Sequence, residues 1–272
     1  MDGNVLLALG LTLFAGLATG LGALIAFFTS RTNKKFLSVA LGFSAGVMIY
    51  VSLVEIFVKA KDALTTSLGE TEGYWMTVIG FFGGMVFIAL IDRFIPKKNN
   101  PHEVKTVEDV HEAELNSKVI DEQKLMKMGV FTALAIAIHN FPEGIATFMS
   151  AIQDPSVGVA IAIAVAIHNI PEGIAVAVPI YFATGNRKKS FKLSFLSGLA
   201  EPIGAVVAYL ILMPFLTDTM FGIIFAAVAG IMVFISLDEL LPAAKKYDET
   251  HLSIYGLVAG MAVMALSLLL LA

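Results

Sequence analysis

Two stretches decide the fold: MGVFTALAIAIHNFPEGIATFMS, Met128–Ser150, and VGVAIAIAVAIHNIPEGIAVAVPIYF, Val157–Phe182. Each is long enough to cross a bilayer, which takes roughly 20 mostly apolar residues. Each also carries at its centre the same polar motif, His139-Asn140-Phe141-Pro142-Glu143-Gly144 and His168-Asn169-Ile170-Pro171-Glu172-Gly173. His and Glu four residues apart lie on one helical face, one turn apart, so an imidazole nitrogen and a carboxylate oxygen can grip one ion. Pro142 and Pro171 cannot donate to the carbonyls of Ile138 and Ile167. The motifs therefore predict kinked helices with freed carbonyls beside the ligands, tolerated at membrane depth only inside protein or a wet cavity.

Working outward, six further windows qualify as spans: about Val5–Phe28, Phe36–Val58, Tyr74–Phe94, Leu193–Leu216, Met220–Leu241 and Leu252–Ala272. The expected fold is all-α, a polytopic membrane bundle of eight transmembrane helices forming one domain over 1–272. Composition agrees. Of 272 residues 57% are hydrophobic and 15% charged, against about 25% charged in soluble domains, and mean hydropathy is +0.83. The bilayer is thus the expected solvent and partner. A net charge of −4 gives no sign of a nucleic-acid partner, and the absence of cysteine removes disulfides and thiolate metal sites. The first window lacks a basic leading region and is read as a retained helix rather than a signal peptide. Residues 95–127, polar and rich in charge, are expected to form a flexible loop.

Basic residues set the expected orientation. Arg31, Lys34 and Lys35, the group from Arg93 to Lys127, then Arg187, Lys188, Lys189 and Lys192, and finally Lys245 and Lys246 all fall on the odd connections or their flanks. Only Lys59 and Lys61 fall on the other side. Odd connections, the 95–127 loop among them, are therefore placed in the cytoplasm and both termini outside, in the cell membrane.

No basic residue remains in the interior of a span, but Glu55, Glu143, Glu172, Glu201, Asp238 and Glu239 fall within spans. A charge at the bilayer centre costs about 2.5–3.5 kcal/mol on the lenient insertion scale, so these carboxylates require protons or a bound cation. Spans four and five run in opposite directions, and duplicated, proline-broken motifs meeting at mid-membrane are the pattern of a secondary transporter site. His139, Asn140, Glu143, His168, Asn169 and Glu172 are the candidate ligands, with Glu201 in Gly198-Leu199-Ala200-Glu201-Pro202 as a third carboxylate. Asp238, Glu239 and Glu55 are auxiliary candidates, open between metal contact and interfacial or proton-relay roles. Imidazole with carboxylate suits Zn²⁺, Fe²⁺, Mn²⁺ or Co²⁺ rather than Mg²⁺ or Ca²⁺. His102 and His111 in the loop, and His251, read as solvated.

With these motifs the sequence resembles the ZIP (Zrt-/Irt-like) family of metal transporters, most of all its bacterial ZupT/GufA-type branch. The resemblance covers the whole chain. It implies an inverted repeat of helices one to three and six to eight around helices four and five. It also implies import of a divalent metal into the cytosol by elevator-like alternating access, zinc above all, with iron, manganese, cobalt and cadmium as further cargo. A homodimer and no catalytic cofactor are implied as well. On this likeness His139, Asn140, Glu143, His168, Asn169, Glu172 and Glu201 form the central metal centre, and Asp238 and Glu239 an exit region. Other members place Gln or Asp where this chain has His168 or Asn169, and the third connection is poor in histidine. Two rivals differ in class. An intramembrane metalloprotease needs H-E-x-x-H, and Asn140 and Asn169 stand where its glutamate would. An ion-coupled carrier of another solute is permitted by the carboxylates but lacks an intramembrane cation for an anionic substrate.

Overall fold

The computed structural model describes residues 3–28, 34–94, 122–215, 217–246 and 250–271. Most of the expected 95–127 loop, with His102 and His111, lies outside the described residues. Its last six residues do not: the fourth helix starts at Glu122. The first span is Gly3–Phe28 and the third Glu70–Phe94. The second runs from Lys34–Tyr50 through a π-helical turn, Val51–Ile56, into Phe57–Leu68. The fourth is Glu122–Gln153 and the fifth Pro155–Thr184, and both pass through their motif prolines without a break in the helix. The sixth joins Arg187–Gly198 to Ala200–Val207 and a π-helical turn, Ala208–Leu212. The seventh is Asp218–Ile235, a π-helical turn at Ser236–Leu240, and Leu241–Lys246; the eighth is Leu252–Leu271.

Seven of these spans are long and apolar enough to cross a membrane. The fourth is not among them. The chain is an integral, multi-pass membrane protein. The described turns on either side of span five are short and capped. Asp154, the one residue between spans four and five, accepts from Ser156 N at 2.9 Å with Pro155 opening the helix behind it. This tight link holds the two motif helices antiparallel. Gly185, at φ 60°, ends the fifth span, and Asn186 caps the next helix through Lys189 N at 3.0 Å.

The spans sort into two groups. Span one packs on five and six, and four on five and six. Span two packs on eight and seven, and three on seven and two. Between the groups, two touches five, seven touches four and eight touches five.

Within each group the helices meet backbone to backbone at glycines, and these meetings come in matched pairs. A Cβ on Gly46 would strike the Leu257 carbonyl, and one on Gly230 the Phe81 carbonyl. Likewise Gly260 abuts Phe43 and Gly84 abuts Ala227. In the other group Gly22 abuts Ile170 and Gly204 abuts Phe141. The sequences behind these pairs match too. Ala45-Gly46-Val47-Met48-Ile49-Tyr50-Val51-Ser52-Leu53-Val54-Glu55-Ile56 in span two parallels Ala229-Gly230-Ile231-Met232-Val233-Phe234-Ile235-Ser236-Leu237-Asp238-Glu239-Leu240 in span seven. Gly16-Leu17-Ala18-Thr19 parallels Gly198-Leu199-Ala200-Glu201, and Gly80-Phe81-Phe82-Gly83-Gly84-Met85 parallels Gly256-Leu257-Val258-Ala259-Gly260-Met261. Copies five helices apart in a chain of successive crossings run in opposite directions, so spans one to three and six to eight form an inverted repeat around four and five.

Candidate metal centre

The motif glycines bring the site together. Gly144 lies against the backbone of Glu201, and Gly173 against that of Thr19, with no room for a Cβ at either. Spans six and one therefore approach the two motif helices closely enough for Glu201 to reach between them. Asn169 Nδ2 donates to Glu201 Oε1 and to the Ala15 carbonyl at 2.9 Å. Asn140 Nδ2 donates more weakly to the Ser197 carbonyl, at 3.5 Å. Both amides thus present their nitrogens outward to neighbouring helices and leave their oxygens, Asn140 Oδ1 and Asn169 Oδ1, buried without a partner.

The acidic and imidazole groups form two clusters. In the first, His168 Nε2 stands 3.2 Å from Glu143 Oε2, and His168 Nδ1 3.6 Å from Glu172 Oε1. His168, Glu143, Asn169 and Glu201 are all 0–1% exposed. Glu143 Oε1, Glu172 Oε2 and Glu201 Oε2 have no hydrogen-bond partner. A buried, unpaired carboxylate oxygen is costly unless something positive reaches it. Among the described residues no Lys or Arg is buried. In the second cluster, His139 Nε2 contacts Glu239 Oε1 of the seventh span at 3.0 Å. One cavity between the helix groups is lined by His139, Glu172, Glu239, Thr132, Ile136 and Ala243, among others.

The structure brings Glu143, His168, Glu172, Asn169 and Glu201 into one buried neighbourhood. It turns His139 from that neighbourhood toward Glu239, and Asn140 toward span six. Glu55 sits in the second-span π-helical turn and pairs with Lys59 Nζ at 2.9 Å. Asp238 lies in the corresponding turn of span seven. Among the described residues no three His, Asp or Glu side chains are drawn together closely enough to hold an ion as they stand. His139 is spent on Glu239 instead, and His168 on Glu143 and Glu172. Reading the motifs alone does not single out Thr19, Ala15 and Ser197, which supply the packing and carbonyl acceptors; the repeat Gly16-Leu17-Ala18-Thr19 is the signal that finds the first.

The family described as ZIP Zinc transporter matches residues 96–268, which contain both motifs, Glu201, Asp238 and Glu239. The chain belongs to the ZIP zinc transporter family. Curated relatives agree along the whole length. The chain is 82% identical over 271 residues, 100% of both proteins, to the zinc transporter ZupT of Lysinibacillus sphaericus. It is 74% identical over 269 residues, 99% of each, to the zinc transporter ZupT of Oceanobacillus iheyensis. With the zinc transporter ZupT of Clostridium perfringens it shares 59% over 275 residues, 98% of this chain and 96% of that one. ZIP proteins are transporters, not enzymes, and the resemblance drawn from the doubled motif is borne out.

Proposed function

We propose that this chain imports divalent transition-metal ions into the cytosol, zinc first and iron, manganese, cobalt and cadmium as lesser cargo. The observation that carries this reading is the buried set Glu143, His168, Glu172, Asn169 and Glu201, in which each carboxylate leaves one oxygen, and Asn169 its amide oxygen, without a partner, while no Lys or Arg is buried among the described residues. Mixed imidazole and carboxylate donors suit Zn²⁺ over Mg²⁺. With no thiolate present, binding stays weak enough for release. Small rotations of His139, from Glu239 toward the motif centre, and of His168 complete the coordination sphere.

The basic residues place Lys35, Lys127, Arg187 and Lys245 in the cytoplasm and both termini outside. The cavity lined by His139, Glu172 and Glu239 draws on the helix halves nearest those residues, so this conformation faces inward. Ions leave the centre past His139 and Glu239. Alternating access follows from an elevator-like shift of spans one, four, five and six against two, three, seven and eight. This is supported by glycine contacts that hold each group together and do not bridge between groups. The working unit is a homodimer in the cell membrane. Spans three and eight, whose apolar windows are only 22% buried, offer the surface that a second copy or lipid covers.

Uptake of labelled Zn²⁺ into vesicles holding the purified protein tests the reading. The wild type is expected to load zinc above protein-free vesicles, and the double variant Glu143→Ala/Glu172→Ala to lose that uptake. Retained uptake in the double variant rules out the site; no uptake by the wild type rules out the function.

A further inference from the structure

Glu239 reaches His139 across the seam between the two helix groups, at 3.0 Å. Each partner has a counterpart in the other half of the repeat. Glu239 in Ser236-Leu237-Asp238-Glu239-Leu240 corresponds to Glu55 in Ser52-Leu53-Val54-Glu55-Ile56, and both segments form π-helical turns. His139 corresponds to His168 in the neighbouring motif. The matched glycine contacts of spans two with eight and seven with three show that the equivalence holds in packing as well as in sequence. From this we infer that Glu55 is the outer ligand-handling carboxylate: when the centre faces outside, Glu55 pairs with His168 and receives the incoming divalent cation. This inference rests on the transport reading above and adds an outer path to it.

The inner cavity supplies the template. Its lining residues Thr132, Ile136, His139, Glu172, Glu239 and Ala243 correspond to Ile161, Val165, His168, Glu143, Glu55 and Lys59. In the present conformation Ile161 and His168 are 1% exposed and Val165 3%, each less than its counterpart in the inner cavity, Thr132 at 6%, His139 at 4% and Ile136 at 6%. An inverted repeat reaches its second conformation by exchanging the arrangements of its two halves. The exchange opens the cavity lined by Ile161, Val165 and Glu143. It moves Glu55 onto His168, releases His168 from Glu143, and gives His139 to Glu172.

Beside Glu55 the symmetry breaks. Lys59 stands where span seven has Ala243, and its ammonium holds the Glu55 carboxylate at 2.9 Å while only 24% exposed. Glu55 has a charge partner on its own helix to leave before it can reach His168. An arriving divalent cation, carrying twice the ammonium's charge, can displace that partner. Lys59 therefore keeps the outer carboxylate occupied until metal arrives.

The chain contains no cysteine, so paired cysteines can report the contact directly. A protease site in the 95–121 connection separates spans one to three from four to eight after cutting, unless a link across the seam holds the fragments together. In lipid vesicles treated with a short dithiol-bridging reagent, Glu55→Cys/His168→Cys is expected to link, with His139→Cys/Glu239→Cys, split by a second site in the 185–186 turn, as the inward reference. A second measurement avoids removing a histidine. Glu55→Gln is expected to raise KM for Zn²⁺ by about tenfold, in the range seen when groups supporting a metal ligand are lost, with Vmax kept and with recovery in Glu55→Asp. Lys59→Ala is expected to lower KM. Failure of the 55/168 pair to link, or an unchanged KM in Glu55→Gln, overturns the proposal while wild-type uptake leaves the transport reading standing.

Discussion

His139 and Glu239 belong to different helix groups, yet their side chains meet at 3.0 Å beside a cavity that Glu172 also lines. In the proposed transport cycle the contact joins a motif residue of the candidate metal centre to a residue on the helix group that shifts against it. In that proposed cycle it serves both as a coordination partner and as a latch.

Glu239→Gln removes the charge from this latch while keeping its shape. Zinc uptake is expected to fall by about ten- to a hundredfold, the usual range when a group bonded to a metal-ligating histidine is lost. Initial rates across a zinc series should show the loss in Vmax rather than KM. A pure KM effect places Glu239 outside the release path.

Gly144→Ala is expected to destabilise the folded protein by about 1–3 kcal/mol, because the new methyl meets the Glu201 backbone and overpacked cores cost that much. Gly173→Ala should behave alike against Thr19. Gly83→Ala is the control, since nothing lies within 4 Å of a Cβ there. It should be neutral or stabilising by up to about 1 kcal/mol through helix propensity. Thermal unfolding in one detergent compares the three.

Asn169 donates to Glu201 and to the Ala15 carbonyl. Asn169→Leu leaves Glu201 with neither oxygen hydrogen-bonded by this amide and is expected to cost about 1–3 kcal/mol. Asn140→Leu, which gives up only the long bond to Ser197, should cost less. Unfolding midpoints that fail to separate the two variants refute the asymmetry.

Zinc at a hundredfold excess over its dissociation constant is expected to stabilise the wild type by about 2.7 kcal/mol. The shift should vanish in Glu143→Ala/His168→Ala and survive a challenge with Mg²⁺. Differential scanning fluorimetry with each metal in turn reads this out.

Much of this was legible before any coordinates. Windows of mostly apolar residues anticipated the eight helices, and the doubled motif marked two that carry the candidate site. Helix ends moved where charge misled: Glu122–Lys127 looked like loop because four of its six residues are polar or charged, but the turns ahead of a membrane helix are polar for the same reason. The motif also hides which histidine goes where. His139 and His168 occupy identical local sequence, and only packing against spans seven and two tells them apart. The repeat itself is written in the residues, yet its offset differs between each helix pair. It becomes visible once the contacts show which helices to lay side by side.

Backbone-to-backbone packing has a cost in evolvability. Faces such as Gly46 on Leu257 or Gly22 on Ile170 admit no side chain of any size, so drift there is closed off. The seam where Glu239 meets His139 is made of side chains, and side chains can be exchanged one at a time. New metal preferences and new turnover rates should therefore arise along that seam, while the interiors of the two groups stay as they are.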